Sequence, residues 1–306
     1  MKIRVLGSAA GGGFPQWNCN CRNCAGIRSG TVRSRSRTQS SIAVSGRDGT
    51  RWALVNASPD ILAQLRANPL LQPARAPRDT AIVAVVLVDA QIDHCTGLFM
   101  LRESTSALKV WCTDGAHADL TDGNPIFRVL SHYCGVERRE LKPDGNDFTV
   151  DGVEGVRWRA LAVASKPAPY SPHRDAPLPG DNVALVIGDS DGGGHAVYAP
   201  GLGAMEAPVW RAMLSAACVL VDGTFWSDDE MLAMGLSKKR ARDLGHLPQS
   251  GPGGMLEWLD KLPVATRRIL IHVNNTNPIL DEDSAERAQL TRRGIEVAWD
   301  GMEIRL

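Results

Sequence analysis

Asp89-Ala90-Gln91-Ile92-Asp93-His94 follows directly on Ile82-Val83-Ala84-Val85-Val86-Leu87-Val88. The apolar run is rich in β-branched residues and reads as a strand buried on both faces. Side chains at the carboxyl end of such a strand are held by the sheet, as metal ligands must be. Asp93 and His94 place a carboxylate and an imidazole there. Gln91 is a poor ligand for a borderline metal such as zinc, which takes His, Cys or carboxylate.

Two further strand ends carry the same kind of residue. Val219-Leu220-Val221-Asp222-Gly223-Thr224 ends on an Asp, and Ile269-Leu270-Ile271-His272 ends on a His. Either alone reads as an ordinary structural residue. Three strand ends with metal-capable groups, at 93–94, 222 and 272, point together to a metal site. His246, in Leu244-Gly245-His246-Leu247, is a candidate acid/base or substrate contact, with a partly buried loop His as the plainer alternative. His173 lies on the Pro-rich stretch Lys166–Pro179, a loop long enough to cover or bind something. His117, His132 and His195 read as structural or solvent-facing.

A separate constellation is Cys19-Asn20-Cys21-Arg22-Asn23-Cys24. Three thiolates this close suit a closed structural zinc site, whose fourth ligand must come from elsewhere in the chain. Gly7–Gly13 before it lets the backbone fold tightly. Cys95, Cys112, Cys134 and Cys218 sit in apolar settings and read as core thiols. The seven Cys, an odd number, fit metal binding in a reducing compartment better than a disulfide framework.

The rest of the chain is consistent with one α/β domain spanning 1–306. Strands are expected at Lys2–Leu6, Arg51–Asn56, Ile82–Val88, Lys109–Cys112, Val156–Ala162, Val183–Ile187, Val219–Asp222 and Arg268–His272. Ile295–Trp299 and Met302–Leu306, split by Asp300-Gly301, read as a hairpin. Helices are expected at Ser58–Asn68 with Ser58 as cap, Pro125–Cys134, Ala207–Ala216, Met255–Lys261 and Ser284–Arg293. Intermixed strands and helices indicate layered α/β packing, and no repeat or low-complexity linker divides the chain.

Composition is globular, with 43% hydrophobic and 22% charged residues. A formal net charge of zero argues against nucleic-acid binding by counterion release. The basic cluster Arg28, Arg33, Arg35 and Arg37 reads as a solvated loop. No signal peptide is visible, and no apolar run approaches the roughly 20 residues of a membrane helix. The expectation is a soluble cytoplasmic protein with no membrane or nucleic-acid partner.

Taken together, Gly7–Gly13 with Phe14-Pro15-Gln16-Trp17-Asn18-Cys19-Asn20-Cys21, Asp89–His94, Pro200-Gly201-Leu202-Gly203, Asp222-Gly223-Thr224, Gly245-His246-Leu247 and His272-Val273-Asn274-Asn275-Thr276-Asn277-Pro278 closely resemble the PqqB family. That family serves the biosynthesis of pyrroloquinoline quinone (PQQ) and shares the metallo-β-lactamase fold. The resemblance implies a four-layered αβ/βα sandwich with the active site at strand ends between two sheets, plus an N-terminal Cys-x-Cys-x-x-Cys zinc knuckle. Cyclic phosphodiesterases of phosphonate metabolism share the knuckle and complete it with a His. Here that place holds Asn275, a weak ligand, so Asn275, a displaced side chain or water fills the shell.

The superfamily pattern His-x-His-x-Asp-His binds two metals. Its second set survives as Asp93, His94 and His272, with Asp222 where a bridging carboxylate would sit. Its first set is gone: Asp89 and Gln91 replace two His, and Leu161–Lys166 holds no third one. What is left is a mononuclear site with open positions, close to the two-His-one-carboxylate triad of non-haem Fe(II) enzymes. Zn or Mn would also suit these ligands.

PQQ is assembled from linked Glu and Tyr residues of a ribosomal peptide, and the tyrosine ring must acquire oxygen. The resemblance thus implies an Fe(II)-dependent oxygenase acting on a peptide-derived Glu–Tyr intermediate, alongside other PQQ pathway proteins. His246 would move protons, with Asp222 as ligand or orienter. Lys166, His173 and Arg174 would hold substrate carboxylates. Two other readings stay open: a metal-dependent hydrolase of a pathway intermediate, and a non-catalytic carrier for PQQ or its precursor.

Overall fold

Fourteen strands form two seven-stranded sheets in the computed structural model, which describes residues 1–306. The first sheet runs β14 (Glu303–Arg305), β1 (Lys2–Gly7), β2 (Ser41–Ser45), β3 (Trp52–Val55), β4 (Ile82–Val86), β5 (Leu108–Cys112) and β6 (Val136–Glu140). The second runs β13 (Ile295–Val297), β12 (Arg267–Ile271), β11 (Cys218–Asp222), β10 (His195–Ala199), β9 (Val183–Asp189), β8 (Val156–Ala162) and β7 (Asp144–Phe148). The chain thus builds one sheet, then the other, and returns at its end to the first.

Alternation along each strand explains the layering. One face of β1 to β4 and one face of β8 to β12 meet in a core that includes Ile3, Val55, Val86, Trp158, Leu220 and Ile269. The opposite faces pack under helices, with Leu54, Val85 and Leu98 on one side and Val219, Leu256 and Leu290 on the other. Helix, sheet, sheet and helix therefore stack as four layers, the architecture the resemblance implied. Strands covered on both faces need apolar residues at every position, which is why β3, β4 and β11 read as unbroken runs. No helix is long and apolar enough to cross a membrane.

The terminal hairpin is corrected. β13 pairs in parallel with β12, whereas β14 pairs antiparallel with β1, so Asp300-Gly301 carries the chain from one sheet to the other. The Asp300 carboxylate explains the crossing: it accepts bonds from Thr38 N–H at 2.6 Å, Thr38 Oγ1 at 2.7 Å and Ser8 Oγ at 2.8 Å. A hairpin turn would withdraw it from all three. The helix expected from Ser58 starts later, at Ile61–Ala67, and Ser58 Oγ accepts only from Asp60 N–H. The basic cluster is not simply solvated either. Arg37 is buried and donates to the Ala298 and Arg35 carbonyls, while Arg33 pairs with Glu282 and Asp283.

Leu220 is fully buried between the sheets. Leu220→Ala should cost about 2–5 kcal/mol through lost burial and the cavity left behind. Chemical denaturation checks this, and an unchanged midpoint would contradict the inter-sheet core.

Candidate metal centre

The carboxyl ends of β4, β11 and β12 converge at one rim of the sandwich. After β4 the chain continues through Leu87 and Val88 to Asp89, then turns into a short helix, Ile92–Cys95, that carries Asp93 and His94. β11 and β12 are parallel neighbours with Asp222 opposite Ile271, so Asp222 and His272 leave the second sheet side by side. Each sheet thus supplies half the site. The Gly-rich loop closes it from a third side: a Cβ on Gly11 would stand 3.4 Å from the Asp93 carboxylate.

His272 Nε2 lies 3.2 Å from Asp93 Oδ2, and His94 Nε2 lies 3.7 Å from the same oxygen. All three atoms fall within 4.8 Å of one another. Two ligands each about 2.1 Å from a tetrahedral ion sit about 3.4 Å apart, so these spacings fit a single cation. His94 Nε2 is buried and has no hydrogen-bond partner in the protein. An orphaned nitrogen of that kind costs about 1–3 kcal/mol. The donor set and the orphan together fit a bound metal.

The other ring nitrogen of each imidazole is already engaged. His94 Nδ1 faces both oxygens of Asp89, at 2.8 and 2.9 Å. Thr224 Oγ1 donates its single proton to the His272 carbonyl at 3.0 Å, so it accepts from His272 Nδ1–H at 2.9 Å. His246 Nδ1 donates to Asp222 Oδ2 at 2.7 Å. Each ring thereby places its Nδ1–H on a fixed acceptor and turns Nε2 toward the rim. His272 adopts φ 61°. A left-handed conformation in a non-glycine residue costs on the order of 1–3 kcal/mol and gathers at functional sites.

Charge reinforces this geometry. Burial opposes a charged His94, but the Asp89 and Asp93 carboxylates outweigh it and push the imidazole up to about 9. Burial likewise opposes ionised Asp93, yet His94 and His272 hold it well below the usual carboxylate range. The field that favours a proton here favours a metal cation equally. Asp222 is also lowered despite burial, by His246, and His246 is raised by Asp222.

Asp222 lies at the same rim and accepts several hydrogen bonds there. Its Oδ2 accepts from Leu202 N–H at 2.9 Å and from His246, and its Oδ1 accepts from Thr224 N–H at 2.9 Å. Those bonds make it the support of His246, whose ring stacks 5.5 Å from that of His272. Asp222, His246 and His272 do form a second cluster within 4.8 Å.

The cavity at this rim measures about 250 Å³ and is lined by Lys166 and Arg174 as well as the site residues. His173 does not line it; its Nδ1 sits 2.9 Å from Asp181, just past the Pro-rich loop. That loop is fastened at several points. Tyr170 Oη donates to the Ala90 carbonyl, Gln91 Nε2 to the Lys166 carbonyl at 3.0 Å, and Ser165 Oγ to the Gly245 carbonyl at 2.8 Å. Gly245 has φ 90°, and a Cβ there would come within 2.6 Å of Lys166 N, so only glycine allows the approach. Thr224 and Asp89 were not read as working residues from the sequence. A Thr two residues after Asp222 at a strand end was the available signal for the first.

The three knuckle sulfurs also lie within 4.8 Å of one another. The Asn275 carboxamide faces them, with Nδ2 at 3.1 Å from Cys19, 3.4 Å from Cys24 and 3.7 Å from Cys21. Backbone N–H groups of Gln16 and Cys21 point at Cys24 and Cys19 sulfurs, each at 3.4 Å. Arg28 donates to the Cys19 and Gln16 carbonyls and holds the loop. The three sulfurs thus form a cluster suited to zinc, with the Asn275 amide N–H groups directed at it.

Paired sheets with ligands at one rim define a metallo-β-lactamase-type domain, and the model of the β-lactamase superfamily domain matches residues 51–273. Coenzyme PQQ synthesis protein B of Azoarcus sp. (strain BH72) is 62% identical over 306 residues, covering 100% of both chains. The protein of the same name from Pseudomonas aeruginosa is 58% identical, again over both full lengths. The crystal structure of Zn2+-bound PqqB from Methylobacterium extorquens superposes with a TM-score of 0.90 at 36% identity, covering 100% of each chain. A diphosphatase of the PhnP family shares the fold at a TM-score of 0.66 and 15% identity, covering 99% of this chain and 96% of its own. The chain belongs to the coenzyme PQQ synthesis protein B family, within the β-lactamase superfamily.

Replacing Cys19, Cys21 or Cys24 with Ser should remove about one zinc per chain and lower stability, since structural zinc contributes directly to folding. Elemental analysis decides it; unchanged zinc would refute the knuckle.

Behind the site, Glu230 accepts from Thr276 Oγ1 at 2.5 Å and Trp226 N–H at 2.6 Å. Burial pushes its carboxyl up from 4.5 to about 7. The folded chain then holds a proton the unfolded chain has lost, so this contribution is full below about 4.5 and disappears as pH rises through about 7. Glu230→Gln should gain stability on the parent chain above pH 7, read from urea midpoints across pH. Parallel curves would contradict the assignment.

Proposed function

We propose that this protein acts in PQQ biosynthesis as a mononuclear Fe(II) oxygenase that hydroxylates the tyrosine ring of a peptide-derived Glu–Tyr intermediate. The observation that carries the proposal is the convergence of His94 Nε2, His272 Nε2 and Asp93 Oδ2 on one point. The positions of a second ligand set are meanwhile filled by Asp89 and Gln91, whose side chains are bonded elsewhere. A two-metal hydrolytic mechanism needs ions roughly 3.5–4 Å apart. Two imidazoles and one carboxylate instead match the triad of non-haem iron oxygenases, though Zn or Mn also accepts these donors. The names of the full-length relatives support the pathway.

Iron held by Asp93, His94 and His272 would supply open positions for dioxygen activation. The surrounding residues have separable tasks. Lys166 and Arg174, the cationic side chains on the cavity wall, hold the substrate's carboxylates. His246, fixed through Nδ1 by Asp222, presents Nε2 to accept or return the phenol proton. The fastened Pro-rich loop keeps Lys166 in place and excludes water. Hydroxylation replaces a ring C–H by C–OH, sends the other oxygen atom to water, and draws two electrons and two protons from a reductant.

The test is anaerobic reconstitution with Fe(II), followed by reductant, the Glu–Tyr intermediate and isotopically labelled dioxygen. Labelled oxygen should enter the ring with iron-loaded protein and not with His94→Ala. Conversion by zinc-loaded but not iron-loaded protein would sink the oxygenase and favour a hydrolase. Support of PQQ production by His94→Ala at the parent level would favour a carrier.

A further inference from the structure

The two positions that lack metal-binding imidazoles have other employment. Asp89 is 5% exposed, and its two oxygens straddle His94 Nδ1 at 2.8 and 2.9 Å. Its Oδ1 also accepts from Gln91 N–H at 2.9 Å, which holds the carboxylate across the turn. The Gln91 carbonyl receives the N–H groups of His94 at 2.9 Å and Cys95 at 3.1 Å. Gln91 Nε2 reaches the other way, to the Lys166 carbonyl. One end of this turn therefore aims an imidazole and the other ties down the substrate loop.

An imidazole that donates Nδ1–H to a carboxylate has one tautomer, one orientation and a more electron-rich Nε2. His94 is the ring that needs this most, because its Nε2 is buried without any protein partner. A histidine at position 89 would remove that carboxylate. It would gain a neutral donor for a second ion by disarming the ligand of the first.

We infer that Asp89 is a positioning residue for His94, and that the pocket is single-metal by construction: the substitution that abolishes the second ion's site strengthens the first. This rests on Asp93, His94 and His272 forming a metal site. It adds that restoring the missing imidazoles weakens, rather than improves, metal binding.

The experiment compares full-length parent protein, Asp89→Asn, the double variant Asp89→His/Gln91→His, and His94→Ala. Zn2+ and Fe2+ affinity is measured by competition against a chromophoric chelator, and knuckle zinc is counted separately by elemental analysis. Asp89→Asn keeps the acceptor for Gln91 N–H and loses the charge. Its pocket affinity should fall about 10–100-fold with knuckle zinc unchanged. The double variant should also bind its first ion more weakly than the parent. Parent-like affinity in Asp89→Asn overturns the inference, as does tight binding of two pocket ions by the double variant.

Should Asp89→Asn lose its knuckle zinc and fold, NMR of the metal-loaded parent decides. A slowly exchanging, strongly deshielded His94 Nδ1–H supports the inference, and a deprotonated or rapidly exchanging Nδ1 overturns it. If the parent and His94→Ala both hold only knuckle zinc, the metal-site reading itself has failed and takes the inference with it.

Discussion

A buried imidazole nitrogen with nothing to bond is the constraint around which this structure is organised. His94 Nε2 is sealed from water, and its ring cannot turn away because Asp89 grips the opposite nitrogen. A bound metal would give this nitrogen the partner it lacks. Around it, Thr224 and Asp222 impose the same discipline on His272 and His246. Three rings with their Nδ1 atoms spoken for leave three Nε2 atoms for chemistry.

The fold and the site are one problem because neither sheet owns the centre. Asp93 and His94 come from the end of β4 in the first sheet, and His272 from the end of β12 in the second. They meet only if the inter-sheet core closes to the right distance. Two features hold the sheets in register near the site. Val88 accepts from Val183 N–H at 2.8 Å across the sandwich. Asp300 fastens the crossing chain to Ser8 and Thr38.

Much of this was legible in the sequence, and the failures have physical reasons. Strands covered on both faces announce themselves as apolar runs, so β4, β9, β11 and β12 were found, and with them the three strand ends that carry metal-capable residues. β6 (Val136–Glu140) and β7 (Asp144–Phe148) were missed because they lie at the outer edges of their sheets. Edge strands are charged and polar, which hides them from a hydrophobic pattern. Two inner strands, β2 (Ser41–Ser45) and β10 (His195–Ala199), were also missed, because each is only five residues long and begins on a polar residue. The final hairpin was misread because a turn sequence specifies a reversal but not which sheet receives the next strand. At the site, residue types revealed candidates but not orientation. Residue type alone does not show that the Asp89 carboxylate faces His94, or that the Asp222 oxygens also accept from Leu202, Thr224 and His246.

The central claim is that the rim between the sheets holds one catalytic cation. Anomalous diffraction at the iron and zinc edges, from crystals of anaerobically loaded protein, tests it most directly. The expected maps show zinc among Cys19, Cys21 and Cys24, and a lone peak between Asp93, His94 and His272. A pair of peaks about 3.5–4 Å apart in that pocket, or none under any loading, would contradict the account.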